Sequence, residues 1–353
     1  MTVKVFVVDD SAVVRQALAH MLKDQPDIEL IGSAPHPLLA MDAIKKTPPD
    51  VMLLDIEMPG MDGLTFLRQI MASKPIPTVI CSTLTTEGSK IALEALSAGA
   101  VAVLAKPKLG LKQHLEDSRR EMVQTLKAAA RAKPRYRTGV VHPVLAKPHV
   151  GPFSAPTGVH ALSMNKPVVI GSSTGGTQAL ELVLTSLPAD APGIAITQHM
   201  PERFTAMYAK RLDGICAMRV REACDGDRLE RGLALIAPGG LHMQLRKTSG
   251  QYFVHVADGP AVNRHKPSVD VLFRSAAECA GRDALGIIMT GMGDDGARGM
   301  KVMHEAGART IAQNEETCVV FGMPKEAIKL QAVDDILPLE QMAQAILQFD
   351  ARA

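Results

Sequence analysis

Apolar residues in the first hundred positions fall in short blocks. Val3–Val8, Val51–Leu54, Thr78–Cys81 and Val101–Leu104 are β-rich runs bounded by Asp, Pro or Gly, a length and setting that predict buried strands. Between them, Ala12–Leu22, Leu64–Met71 and Ser89–Ala98 carry their apolar residues at helical spacing. Strand and helix in alternation predict a parallel sheet with helices on both faces. A last helix is predicted from Leu111 to about Ala132. The pattern then breaks. Pro134, Pro143, Pro148, Pro152 and Pro156 stand among Gly, Ser and Lys from Lys133 to Met164. Proline at that density removes amide donors and forbids long helices, which predicts a linker. Alternation resumes beyond it. Val168–Ile170, Ile194–Thr197, Leu233–Ile236 and Leu285–Met289 read as strands, Thr177–Thr185 and Val269–Ala280 as helices, and Tyr252–Val256 as a hairpin arm after Gly250. The expected architecture is α/β, with two doubly wound parallel-sheet domains over residues 1–132 and 164–353. A Pro-rich basic linker, 133–163, joins them.

Composition narrows the function. The 353 residues are enough for two ordinary cores. A net charge of +2 gives no electrostatic case for nucleic acid, and 3% aromatics without Trp leave no base-stacking platform. Val3–Val8 is far too short to cross a bilayer and ends in two acids, and no later run is long enough, so no membrane insertion is expected. Cys81, Cys216, Cys224, Cys279 and Cys318 form no CxxC pair, which reads as reduced thiols in the cytoplasm. Between Glu121 and Glu181 there is no acid, but Arg135, Arg137, Lys147 and other bases occur. Such a strip reads first as a solvated hinge, and more sharply as a docking strip for an acidic partner.

Two constellations carry chemistry. Asp9 and Asp10 follow the first strand, Asp55 ends the Val51–Leu54 run, and Lys106 follows Val101–Ala105. Ligands of doubly wound sheets bind beyond the strands' carboxyl ends, where all four side chains would meet. Three carboxylates need a cation between them, and a hard divalent ion such as Mg²⁺ suits their oxygens. Lys106 could neutralise a phosphoryl group on a carboxylate. Residues 1 to about 130 resemble a two-component receiver domain of flavodoxin-like fold, through VVDDSAVVRQAL, DVMLLDIEMPGMDGL and AKP. That resemblance implies phosphorylation at Asp55, Mg²⁺ held by Asp9, Asp10 and Asp55, and phosphate contacts from Lys106 and from Ser82, with Thr83 as the alternative hydroxyl. It also implies a histidine kinase of the chemotaxis type as phosphodonor.

In the second half, Gly171, Ser173 and Gly175 follow a strand and precede a helix with G-x-S-x-G spacing. Taken alone, that turn is equally a phosphate-binding turn. His199 stands at another predicted strand end, and the loop Thr290–Gly296 carries Asp294 and Asp295. Ser173, His199 and Asp295 could supply nucleophile, base and orienting acid. His242, His255 and His265 lack that combination and read as structural. From about Lys166 to Gln348 the chain resembles the CheB-type protein-glutamate methylesterase catalytic domain, through VVIGSSTGGTQAL, ITQHMPERFTAMYAKRL, IAPGGLHM, HKPSVDVLF, IIMTGMGDDGARGM and TIAQNEETCVVFGMPKEAI. The resemblance implies Ser173, His199 and Asp295 as the triad and the Met292 amide as oxyanion donor. The position before the acid, often Asn in the family, is Asp294 here. It further implies demethylation of glutamyl methyl esters and deamidation of glutamines on methyl-accepting chemoreceptors, under receiver control, with no cofactor for hydrolysis. Substrate docking is expected near Met200, Arg203, Phe204 and Arg264. The alternative is a receiver-controlled nucleotide- or phosphate-binding module without hydrolase activity.

Overall fold

The computed structural model describes residues 2–58, 63–82, 85–106, 112–132, 166–202 and 204–351. The expected linker, 133–163, together with Thr83 and Arg203, lies outside them. The first domain runs β1 (Val3–Val8), α1 (Ala12–Leu22), β2 (Ile28–Ala34), α2 (Pro37–Lys46), β3 (Val51–Asp55), α3 (Gly63–Ser73), β4 (Thr78–Ser82), α4 (Thr86–Ser97), β5 (Ala102–Ala105) and α5 (Lys112–Ala130). Its strands lie in the order β2-β1-β3-β4-β5, all parallel. All five residues of β3 are buried, as expected of a strand covered on both faces. The apolar pattern does not mark β2, and the sheet explains why. At the edge, only its end residues Ile28 and Ala34 are fully buried, so no continuous apolar run is needed. Nor does it mark α2, which starts on Pro37 with the His36 ring accepting from the Leu38 amide.

The second domain holds β6 (Val168–Ser172), α6 (Gly176–Thr185), β7 (Ile194–Gln198), α7 (Phe204–Ile215), β8 (Arg219–Glu222), β9 (Leu233–Ile236), β10 (His242–Thr248) and β11 (Gln251–Ala257). It continues with α8 (Val269–Ala280), β12 (Leu285–Ile288), α9 (Ala297–Glu305), β13 (Arg309–Gln313), α10 (Met323–Lys329), β14 (Asp335–Leu337) and α11 (Met342–Ala351). Seven parallel strands take the order β14-β13-β12-β6-β7-β9-β8. Side chains of β6 alternate between two apolar layers: Val168 and Ile170 pack with Leu180 and Tyr208, whereas Val169 packs with Phe273 and Met300. β10 and β11 form a separate antiparallel hairpin through Ser249 and Gly250, both at positive φ.

Both chains of connections reverse direction once. In the first sheet the chain passes from β1 out to β2 and returns beyond β1 to β3. In the second it runs from β6 to β7 and out to the edge strand β8, turns back through β9, and crosses to β12 on the other side of β6. A crevice opens beyond the strand ends at each reversal, which is where open α/β sheets bind ligands.

The domains touch. Gln178, in the first turn of α6, donates its Nε2 to Leu96 O at 2.6 Å, in the last turn of α4, and to Ala100 O at 2.9 Å, just beyond it. The Gly175 amide donates to Val101 O at 3.3 Å. Val319 packs partly against the first domain's cluster that contains Val101. The space left among Leu93, Leu96, Thr177, Tyr208 and Arg211 is about 10 Å³, room for one water at most.

Candidate functional site

The first reversal point gathers the acids. Asp9 follows β1, Asp55 closes β3, Ser82 closes β4 and Lys106 follows β5. Carboxylate oxygens of Asp9, Asp10 and Asp55 lie within 4.8 Å of one another. Lys106 Nζ is 2.7 Å from Asp55 Oδ2 and 3.1 Å from Asp9 Oδ2. The other oxygens are spoken for: the Ser11 amide donates to Asp9 Oδ1 and the Glu57 amide to Asp55 Oδ1. Asp9 Oδ2, although near Lys106, accepts no well-directed hydrogen bond. Burial pushes the Asp9 carboxyl above its ordinary range; Lys106 pulls against that rise and Asp55 adds to it. Lys106 responds oppositely. Burial would lower it, but the hydrogen bond and charge of Asp55, with Asp9, hold it above the usual lysine value. Three carboxylates around one ammonium leave negative charge uncompensated, and the buried Asp9 Oδ2 has only the Lys106 ion pair and no well-directed hydrogen bond. That donor set, all hard oxygen, fits a divalent cation such as Mg²⁺. Ser82 is buried at the same edge, its carbonyl accepting from the Lys106 amide at 2.8 Å.

The second reversal point gathers Ser173 after β6, His199 after β7 and the Thr290–Gly296 loop after β12. Ser172, one residue before the candidate nucleophile, is fully buried and donates to Gln198 Oε1 at 2.7 Å. Gln198 Nε2 donates in turn to Ser173 O and His199 O, both at 2.9 Å. One buried side chain therefore ties the two strand ends together. The Ser173 amide donates to Thr290 O at 3.0 Å, which adds the third. Glycine is required beside the serine: a Cβ on Gly291 would stand 2.8 Å from the Ser173 Cβ.

His199 Nε2 lies 2.8 Å from Asp295 Oδ2. Its side chain is 8% exposed, and its Nδ1 is buried with no hydrogen-bond partner. Asp295 itself is 1% exposed and receives Asn263 Nδ2 (2.8 Å), Ser268 Oγ (2.7 Å) and the amides of Val269 (2.7 Å) and Asp270 (3.3 Å). Burial alone would raise this carboxyl; hydrogen bonds from His199, Asn263 and Ser268 outweigh it and hold it well below the usual range. The carboxylate also caps α8, whose own N-cap Ser268 makes no side-chain cap bond, so the helix dipole favours its charge. Asp294 is exposed and 4.0 Å from Arg264. The structure thus places Asp295, and not Asp294, against His199.

Four neighbours of the triad have no catalytic role in the pattern of the sequence. His265 stacks on His199 with ring centroids 3.7 Å apart and planes 10° apart. Burial, then the His199 charge, push its imidazole down to about 3, so it stays neutral. Asn263 and Arg264, both at positive φ, form a tight turn closed by Val262 and His265. His242 accepts from the Ser268 amide at Nδ1 and reaches Pro260 O from Nε2; an amide only donates and a carbonyl only accepts, so the ring is a neutral tautomer. Asn263, of a residue type favoured in tight turns, could have flagged the turn, but its partner Asp295 is distant in sequence.

Docking expectations divide. Met200 is half-buried, and Arg264 is exposed at 71% on the rim of the site. Phe204 corrects the expectation: at 0% exposure in the first turn of α7 it belongs to the core in this arrangement of the domains and offers no docking surface. Met292 is half-buried, its backbone held against Gly322, where a Cβ would meet Met292 Cα at 3.1 Å. Among the described residues no helix is long and apolar enough to cross a membrane.

Comparison with known proteins falls along the same lines. The family model for CheB methylesterase matches residues 168–346, and that for the response regulator receiver domain matches 5–116. A protein-glutamate methylesterase/protein-glutamine glutaminase 2 of Dechloromonas aromatica (strain RCB) is 58% identical over 351 residues, covering 98% of each chain. One of the same description from Xanthomonas campestris pv. campestris is 57% identical over 347 residues, 97% of this chain and 99% of the relative. Among solved structures, the Thermotoga maritima CheB methylesterase catalytic domain is 38% identical, with a TM-score of 0.51, and covers 52% of this chain and 98% of that one.

Proposed function

This chain belongs to the CheB methylesterase family and carries a receiver domain, and from that membership we propose how its residues divide the work. It is a phosphorylation-regulated protein-glutamate methylesterase and protein-glutamine glutaminase. We assign residues 1–132 to the receiver, 133–163 to the linker and 164–353 to the catalytic domain. The observation that carries the chemical assignment is the 2.8 Å pair of His199 Nε2 with Asp295, which leaves the buried Nδ1 without a hydrogen-bond partner, on a strand end whose paired neighbour leads into Ser173. Asp295 fixes the tautomer with hydrogen on Nε2, so Nδ1 is the basic atom. Nδ1 takes the Ser173 proton as Oγ bonds to the ester carbonyl carbon. Negative charge moves to the carbonyl oxygen, where the Met292 amide receives it. When the tetrahedral adduct collapses, the C–O bond to methoxide breaks and His199 returns the proton, releasing methanol. Water then attacks the acyl-serine with the same base, freeing glutamate. For glutamine the leaving group is ammonia.

In the receiver, Asp9, Asp10 and Asp55 would hold Mg²⁺, which offsets charge between carboxylate and incoming phosphoryl group when bound. Asp55 takes the phosphoryl group, and Lys106 and Ser82 contact it. The phosphodonor is a histidine kinase, and the substrates are methyl-accepting chemoreceptors. Cytoplasmic placement accords with both. Regulation follows from the domain contact. Val101 O of the receiver occupies the Gly175 amide, two residues from Ser173, and Gln178 grips the end of α4. A receiver seated there obstructs the approach to the serine, and phosphorylation at Asp55 would unseat it.

The phosphate-binding alternative is disfavoured. Full-length relatives carry the methylesterase/glutaminase description, and the Gly176 amide is already engaged with Ser173 O. Treatment with a serine-directed fluorophosphonate, followed by peptide mapping, tests the assignment: an adduct on Ser173 is expected, and its absence from an active preparation overturns it.

A further inference from the structure

Asp270, in the first turn of α8, and Asp295, in the loop whose carboxylate caps that helix, are both fully buried, 0% and 1% exposed. Buried carboxylates of like charge repel, and a fixed donor between them is needed to hold both in place. Asn263 is that donor. Its Nδ2 lies 2.8 Å from Asp295 Oδ1 and 2.8 Å from Asp270 Oδ2, using both amide hydrogens. Asn263 reaches this position only because its backbone sits at φ +49, in the tight turn closed by the Val262–His265 bridge. Asn tolerates that left-handed conformation better than most residues. The remaining groups around the pair are accounted for. Arg274 and the Gly299 amide serve Asp270, Ser268 Oγ and the first α8 amides serve Asp295, and His199 takes Asp295 Oδ2.

We propose that Asn263 is a positioning residue of the esterase, acting through Asp295: it clamps the carboxylate between α8 and the tight turn so that Oδ2 stays aimed at His199 Nε2. This deepens the triad assignment and rests on it. A mere turn former would behave differently under two substitutions. Asn263→Gly keeps the left-handed backbone but deletes the donor. Asn263→Asp keeps the shape and the turn preference but sets a third carboxylate against two others. If only the turn mattered, both would leave the reaction unchanged.

The test measures hydrolysis of a methylated receptor peptide by the full chain, with kcat expressed per folded molecule as counted from the amplitude of the thermal unfolding transition, so that unfolded molecules drop out of the count. Misplacing a catalytic group by about 1 Å can cost about 100-fold in rate. The expected result is therefore a kcat loss of about 100-fold for Asn263→Gly and a larger one for Asn263→Asp, with KM unchanged. The downfield proton resonance of the His199–Asp295 hydrogen bond should be lost in both. Wild-type kcat for Asn263→Gly, or an Asn263→Asp variant no worse than Asn263→Gly, overturns the proposal. If Ser173→Ala or Asp295→Asn retained activity in the same assay, the triad assignment itself would have failed; if they are inactive and Asn263→Gly is not, only the clamp has.

Discussion

The two reversal points solve opposite electrostatic problems with the same topology. In the receiver, three carboxylates meet one lysine, Asp9 is raised by burial and Asp55, and one buried oxygen has no directed partner. In the catalytic domain, one carboxylate is saturated: Asp295 takes His199, Asn263, Ser268 and two helix amides, and is held well below its usual range. A site left short of positive charge is one whose state a cation or a covalent phosphoryl group can change. A carboxylate with both oxygens filled is held in place before substrate arrives, as transition-state stabilisation requires. Signal reception and catalysis thus differ here less in fold than in how completely the charges are satisfied.

The sharpest way to break this comparison is at the saturated site. Ser173→Ala should reduce kcat by roughly 10⁶ with little change in melting temperature, since loss of a serine nucleophile removes the reaction path and leaves the core untouched. If Ser172→Ala were instead the inactive variant, the buried Ser172–Gln198 bond would have to be reinterpreted as catalytic. Asp295→Asn should lower kcat by about 10⁴, because the amide favours the wrong His199 tautomer. Asp294→Asn, on the exposed side of the loop, should change kcat little. Steady-state kinetics with the order reversed would move the orienting role to Asp294.

A smaller effect sharpens the link between the two sites. Gln178→Ala removes two hydrogen bonds to the receiver, worth about 1 kcal/mol net. Unphosphorylated activity should rise roughly fivefold, the equivalent of that energy in a closed-to-open equilibrium. Truncation to residues 160–353 should raise it at least as far, and Asp55→Ala should keep it low and unresponsive to a phosphodonor. A truncated domain no faster than the unphosphorylated chain would exclude simple obstruction.

The smallest expected effect tests the unsatisfied site. The folded carboxyl of Asp9 is raised above its unfolded value, so the native state binds the proton more readily and stability falls as pH rises through the folded pKa. Asp9→Asn should therefore stabilise the receiver at neutral pH, with the gain fading as pH drops below that folded pKa. An increase in melting temperature of a few degrees is expected, on the order of 1 kcal/mol. Mg²⁺ should raise the wild-type melting temperature and leave Asp9→Asn nearly unmoved; equal responses would place the cation elsewhere.

Legibility in the sequence tracked burial. β1, β9, α1 and α8 coincide with their apolar patterns, since each presents a continuous run or a clean helical face to the core. β2 went unmarked at the sheet edge, and β13 because its buried Thr310 and Gln313 are polar, their needs met by Asp334 and by the Thr290 amide. Phe204, expected near a docking surface, is fully buried in this arrangement of the domains.

By itself the sequence determined what sits at strand ends. Asp9, Asp55, Lys106, Ser173 and His199 each follow a short apolar run, and a strand that must be buried delivers the next residue to the carboxyl edge. Tertiary structure alone decided which groups meet there. The pairing of His199 with Asp295, the His265 ring on His199, and the Asn263 amide on Asp295 depend on residues 32 to 96 positions apart brought together by strand order. No local pattern encodes such meetings, because hydrophobic periodicity reports only which face of an element is buried, while the order of strands in the sheet and the direction of each loop set the neighbours across a crevice.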